Sequence, residues 1–295
     1  MQDNKIHITD LTVEDVRFPA FDRAVAYITL HTNYSVLQGH GLTMAMDHHH
    51  EASVAAIYAL KEQVIGKKLS SITEHMGEFW RQLTRDHEQA AHYDKNIIHM
   101  TTAVMVNAIW DMWARSLQKP LWRLIVDMSP EELVHCLDLT YMADALTETE
   151  ALNILRNNAV DRGARIKDLL HGGYPASPNP QTKYCRTGSI NEILTLLLIA
   201  AKFKVAVYPY TGNFGEYTQH LAMVDYIYIS GSLKNRMLEY VDHLEAHFKA
   251  PAIIKNGCYQ VPLAPGYNIE MKTHSVTNYR YPNGDAWREQ SRQGE

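Results

Sequence analysis

The sequence predicts an α+β unit at the N-terminus followed by an α/β unit, and three observations predict it. Apolar and polar residues alternate through most of the first 45 positions, as strands with one buried face do. Apolar spacing then turns helical as far as residue 126. From about residue 133, short apolar runs alternate with capped helices, the rhythm of strands crossed by helices.

In the first unit, residues 13–19, 24–32 and 41–46 read as a three-stranded antiparallel meander, with Val25, Tyr27 and Thr29 opposing Ala26, Ile28 and Leu30. Val54, Ile57, Tyr58, Val64 and Ile65 share one side of a helical stretch that Gly66 stops. Thr102, Val106, Trp110, Trp113 and Leu117 form an apolar stripe; Pro120 interrupts it and LWRLIV opens a short second helix. The tryptophans read as core.

In the second unit, residues 133–139 read as a strand, and Thr147 with Glu150 forms a capping box opening a helix through Leu155. Ser189 with Glu192 repeats the device ahead of the apolar run 193–203; residues 205–208 and 226–230 read as strands on either side of a helix near 215–223. Between these halves HGGYPASPNPQT, residues 171–182, carries two glycines and three prolines and reads as an irregular join. Residues 235–248 read as a helix, followed by a Pro- and Gly-punctuated tail returning to the first unit.

A chain of 295 residues, 46% of them apolar, can bury cores for two compact units. Its 28 Lys and Arg against 33 Asp and Glu leave a net charge of −5, so no basic field exists to collect nucleic acid or an anionic membrane surface. The start, MQDNKIHITD, lacks a secretory leader's cationic and apolar blocks, and the apolar run 193–201 is too short to cross a bilayer; a cytoplasmic location is expected. Cys136, Cys185 and Cys258 fall in no CxxC or Cys/His grouping and read as plain thiols.

Several local patterns admit a functional and a structural reading. Asp47, His48, His49, His50 and Glu51 suggest metal ligands, but consecutive residues cannot all face one centre, and Asp47 suits a helix N-cap. TGNFG, residues 211–215, could offer backbone N–H groups to an anion or simply turn a strand into a helix.

Longer phrases carry a resemblance. NAIWDMWARSLQKPLWRLIVDMSPEELV (107–134), with VEDVRFP (13–19), CRTGSINEILTLLLIAAKF (185–203) and LEYVDHLEAHF (238–248), resembles the L-fuconate dehydratases, mandelate racemase-like acid-sugar dehydratases of the enolase superfamily. The resemblance implies an α+β capping domain at 1–132, a (β/α) barrel domain beginning at 133, and a C-terminal segment at 232–295 that returns to the cap. A barrel needs about 250 residues, whereas residues 133–231 are all that is available. The missing stretch follows Gly173 to Ala176 and ends near Cys185, so barrel strands two to five are absent. The expected fold is therefore a capping domain plus a partial barrel remnant, an open parallel sheet in the barrel order 6-7-8-1 with its join near 174–186. Its raw edges and exposed apolar face call for cover by the tail, by the Pro-rich join, by a second copy or by another protein.

The same resemblance implies which residues would have carried the chemistry. The family holds magnesium on carboxylates of strands three, four and five, takes the α-proton with a Lys-x-Lys pair on strand two, and moves protons with an Asp-His pair on strands six and seven. The metal ligands and Lys pair have no counterpart in this chain, so no metal or other cofactor is expected. Lys183 stands at the Asp position and Tyr210 at the His position; a lysine cannot orient an imidazole, and a phenol of ordinary pKa about 10 is a poor shuttle near neutrality. Glu239 matches the family glutamate near strand eight that helps polarise the substrate carboxylate. His40, between Gly39 and Gly41, corresponds to a capping-domain segment near the loop that covers substrate. The leading expectation is a truncated relative without magnesium-dependent dehydration. A diverged lyase or isomerase, and a mis-predicted fragment of an active sugar-acid dehydratase, stay open beside it.

Overall fold

The computed structural model describes residues 5–19, 23–45, 50–90, 95–177, 188–207, 215–240 and 244–288. The meander forms as expected: β1 (Ile8–Phe18), β2 (Arg23–Thr32) and β3 (Gln38–Ala45) pair antiparallel in that order, with Val13 opposite Ile28 and Ile28 opposite Gly41. Helices α1 (His50–Ala59), α2 (Lys61–Val64), α3 (Leu69–Thr73), α4 (Met76–Ala90) and α5 (Lys95–Ser116) follow. Gly66 at φ 83° stops the turn after α2. Tyr58 departs from the expected apolar side and is half exposed, with its hydroxyl toward the Val13 carbonyl at 3.4 Å.

Helix α5 lies across β3 so closely that a Cβ at Gly39 would overlap the Ala108 carbonyl, and one at Gly41 the Val104 carbonyl. Only glycine permits that approach. Trp110 is fully buried, and its indole N–H donates to Asn191 Oδ1 at 2.9 Å. Pro120 caps α6 (Leu121–Asp127) as the sequence implies.

Beyond α6 the structure departs from the expected strand-helix rhythm. Residues 133–139 do not form a strand: α7 (Pro130–His135) occupies the start of that stretch, because Ser129 and Glu132 form a capping box and Pro130 sits at the first helical turn, where its missing N–H costs nothing. The capping boxes at Thr147 and Ser189 open α8 (Glu148–Ala159) and α10 (Ile190–Lys202). Between them, α9 (Arg162–Gly172) runs into the predicted irregular join and ends at Gly173, φ 74°. The join then gives β4 (Tyr174–Ser177), and residues 178–182 lie outside the described ones.

Residues 205–207 have no regular structure, with Val205 exposed, and Tyr208 is not described. Helix α11 (Gly215–Val224) continues directly into a π-helical turn, Asp225–Ile229, where a strand was expected. The expected helix 235–248 is also absent among the described residues. Asn235 takes a left-handed conformation, φ 54°, that breaks it; β5 (Leu238–Glu239) follows, and only a 3-10 turn, Glu245–His247, is helical.

The second sheet is correspondingly not the open parallel array 6-7-8-1. With β6 (Ile254–Lys255) and β7 (Cys258–Tyr259) its order is β5-β4-β7-β6, parallel only between β4 and β5. Two of its four strands come from the tail. That tail also reaches the cap: Trp122 Nε1 donates to the Pro262 carbonyl at 2.8 Å, and α12 (Thr273–Tyr279) packs on β1.

Candidate functional site

Two places hold the expected site residues. Lys183 and Tyr210 lie outside the described residues, as do Asp47, His48, His49 and residues 211–214. Glu239 sits on β5 beside β4, with Ser177 opposite. Its carbonyl accepts from the Tyr259 hydroxyl at 2.7 Å, but its carboxylate Oε2 is buried without a hydrogen-bond partner. Burial raises that carboxyl above the ordinary range, since removing water disfavours the charged form.

His40 lies on β3, 3% exposed, at the centre of a polar network between the cap and the tail. The Tyr27 hydroxyl accepts from Met271 N–H at 3.2 Å and lies 2.7 Å from His40 Nδ1. Burial pushes the imidazole down to about 4 and pushes the Tyr27 phenol up. A neutral ring that accepts Tyr27's proton at Nδ1 carries its own at Nε2, which faces Glu270 Oε1 at 3.7 Å.

Asp111 organises the other half of this network. It is fully buried and accepts from three groups: the backbone N–H of His40 at 3.0 Å, that of Tyr267 at 2.6 Å, and Arg115 Nε at 2.7 Å. Arg115 Nη1 also donates to Glu270 Oε2 at 2.9 Å, and Lys249 Nζ to Glu270 Oε1 at 2.5 Å. Burial works to raise the Glu270 carboxyl, yet Lys249, His40 and Arg115 outweigh it and hold the group below its ordinary value. Sequence reasoning missed Asp111, Arg115, Lys249 and Glu270. Asp111 and Arg115 were visible as an i,i+4 acid-base pair beside the apolar stripe of α5, but nothing in the sequence marks Glu270 or Lys249 as their partners.

No hydrogen bond, ion pair or ring contact recorded among the described residues joins His40 to Glu239. The His40 network ties the tail to the cap through Asp111, Arg115 and Glu270. Among the described residues no group of three or more His, Cys, Asp or Glu side chains could hold a metal ion. No described helix is long and apolar enough to cross a membrane.

A three-stranded cap sheet backed by helices, joined to a mixed α/β region and closed by the tail, is a two-part fold of enolase type. Residues 140–275 match the family described as Enolase C-terminal domain-like. The chain is 31% identical over 430 aligned residues to Mitochondrial enolase superfamily member 1 of Xenopus laevis, an alignment spanning 95% of this chain and 97% of the relative. It is 28% identical to the L-galactonate dehydratase of Hypocrea jecorina, spanning 96% of each. The crystal structure of human Mitochondrial enolase superfamily member 1 superposes with a TM-score of 0.89 at 28% identity, covering 96% of this chain and 98% of that one. The L-talarate dehydratase of Polaromonas sp. JS666, complexed with Mg and L-glucarate, shares the fold at a TM-score of 0.61 and 14% identity, covering 93% of this chain and 97% of that one. The chain belongs to the enolase superfamily.

Proposed function

We propose that this chain is a shortened member of the L-fuconate dehydratase branch that does not perform the branch's magnesium-dependent dehydration and serves instead as a non-catalytic protein. The observation that carries the reading is a length. The alignment with the Xenopus relative runs over 430 positions, whereas the chain has 295 residues, so at least 135 of those positions have no residue of this chain opposite them. On the resemblance, the family phrases resume at Cys185, and we read the unmatched block as the part that would carry the metal carboxylates and the Lys pair.

Two features of the described residues support the same reading. Glu239 has kept its family position, but it stands alone: its Oε2 is buried without a hydrogen-bond partner, and burial raises its carboxyl. No group of three or more His, Cys, Asp or Glu among the described residues could hold a metal ion, and without a bound cation the charge that develops on an enediolate would lack its main stabiliser. The expectation of no cofactor nevertheless runs against the habit of the solved neighbours, five of which are described with magnesium. Magnesium is therefore part of the test.

Purified protein incubated with L-fuconate, L-galactonate or L-talarate and excess magnesium is expected to form no 2-keto-3-deoxy product above the rate without protein, read by NMR. Product that appears with magnesium and disappears with a chelator would overturn the proposal. Cover of the short second sheet by a second copy of the chain belongs to the same reading. Light scattering that gives a monomer at all concentrations removes that part alone.

A further inference from the structure

The turn between β2 and β3, the end of α5 and parts of the tail line a half-open cleft of about 330 Å³ that the dehydratase reading does not use. Its polar wall is Arg115, Gln118, Lys249, Asn268 and Glu270. Val36, Leu37 and Pro265 supply an apolar side. The volume falls in the range of sites for small molecules.

Charge selects the class of ligand. The two cations, Arg115 and Lys249, are matched by two anions, Asp111 and Glu270, and each cation is in direct contact with an anion. His40 beside them is neutral through its burial. A site with no net charge offers little to a bare anion or cation.

It offers hydrogen bonds instead. Arg115 uses two guanidinium N–H groups in its recorded bonds out of about five. Lys249 uses one of about three in its bond to Glu270. Gln118 lines the same wall, and the recorded bond of its amide is made by Nε2 alone, to the Arg115 carbonyl at 2.9 Å, which leaves Oε1 as an acceptor. Spare donors beside an unanswered acceptor match a hydroxyl group, which both accepts and donates.

The walls are also fixed in advance. Gly266 exchanges backbone hydrogen bonds with the α5–α6 connection, its N–H to the Lys119 carbonyl at 3.0 Å and its carbonyl from Leu121 N–H at 2.8 Å. Tyr267 N–H is held by Asp111 at 2.6 Å. Binding here would order little new chain, which favours affinity.

We propose that this cleft binds a neutral polyhydroxylated molecule the size of one hexose, a free monosaccharide or its alditol, with hydroxyls on the charged wall and the C–H face on Val36, Leu37 and Pro265. The inference goes beyond the dehydratase reading and uses neither Glu239 nor a metal.

Titration of the intact chain with D-glucose, D-mannitol and D-gluconate, read by ligand-observed NMR, tests it. Glucose or mannitol should bind with a dissociation constant on the order of millimolar, the range expected for so small a ligand. Gluconate should bind no more tightly. Ala264→Trp, an exposed position on the rim, should weaken binding about tenfold, as should Gln118→Gly, which keeps the left-handed backbone there at φ 55°. Both should melt within a few degrees of the parent. Three outcomes overturn the proposal: no saturable binding of either neutral polyol up to about 50 mM, a preference for gluconate, or binding that both well-folded variants leave unchanged.

Discussion

The two sheets of this molecule are built from similar residues and end differently. In the cap, β1, β2 and β3 run eight to eleven residues each and pair in sequence order. In the second sheet the strands are two to four residues long, and two of the four come from the tail. Residues 226–230, YIYIS, alternate as well as any stretch in the cap, yet they form a π-helical turn with Tyr226 to Ile229 all buried. The difference teaches that alternation proposes a strand but neighbours make one. A buried backbone must find hydrogen-bond partners, and a strand can find them only on adjacent strands. Here Ser230 N–H returns to the Asp225 carbonyl at 2.7 Å, Arg165 reaches the Ile227 carbonyl at 2.9 Å, and Asn158 the Ile229 carbonyl at 2.7 Å. The segments expected beside it, 133–139 and 205–208, offer no strand edge among the described residues: α7 takes the start of the first, and 205–207 has no regular structure.

The comparison is broken most directly at Asp111. Asp111→Ala strips a buried carboxylate from Arg115 and from two buried backbone N–H groups, and should cost about 3–5 kcal/mol. Urea unfolding measures it. A loss below about 1 kcal/mol would mean that the tail does not depend on this carboxylate for its hold on the cap.

Acid should act on both regions through His40 in the cap and His220 on α11. His220 is fully buried, accepts from Trp122 N–H at 3.2 Å, and burial pushes it down to about 3. Both rings stay neutral in the fold while the unfolded chain takes up protons below its ordinary pKa of about 6.5. The unfolded state then binds more protons, so stability falls as pH drops from about 6.5 toward about 4 for His40 and about 3 for His220. Each should contribute about 1.4 kcal/mol per pH unit within its window. A His40→Gln variant should lose its share of the slope. An unchanged slope would assign the acid sensitivity elsewhere.

Legibility in the sequence follows the same division. The meander, the stop at Gly66, the buried Trp110 and the boxes at Thr147 and Ser189 rest on local rules, and each is present. The residues of 133–139 were misread because apolar content outweighed Ser129, Pro130 and Glu132, a complete helix start immediately before them. The second sheet was illegible because its pairings join distant segments of two or three residues, too short to show a period. Glu239 could be found only through resemblance, and the second acid partner of Arg115 only by folding, since Glu270 lies 155 positions away.

A methyl group at one glycine probes the cap alone. Gly41→Ala places Cβ against the Val104 carbonyl and close to the Ala108 methyl, so α5 must move off β3. Overpacking of this kind costs about 1–3 kcal/mol. The same change at Gly163, where a Cβ meets nothing within 4 Å, should be neutral or slightly stabilising because it lies within α9. Equal melting temperatures for the two variants would show that the cap's close approach carries no energy.

The smallest effect tests whether α10 behaves as part of the cap or of the second region. Ser189→Ala removes the side-chain acceptor for Glu192 N–H and half of the capping box, a loss of about 1 kcal/mol. Burial works to raise Glu192, but hydrogen bonds from His99 and Ser189 outweigh it and leave the carboxyl low. Removing Ser189 should therefore move Glu192 back toward its ordinary value. A depressed carboxyl lends stability above its unfolded pKa and loses it as pH falls through its folded value, so the variant's deficit should shrink in acid. Because Asn107 also binds Ile190 N–H at 3.0 Å and the Gly188 carbonyl at 2.9 Å, α10 is tied to α5 at the same end. Hydrogen exchange should then show α10 amides losing protection together with α5 rather than with the π-helical turn; the opposite pairing would place α10 with the region whose strands are short.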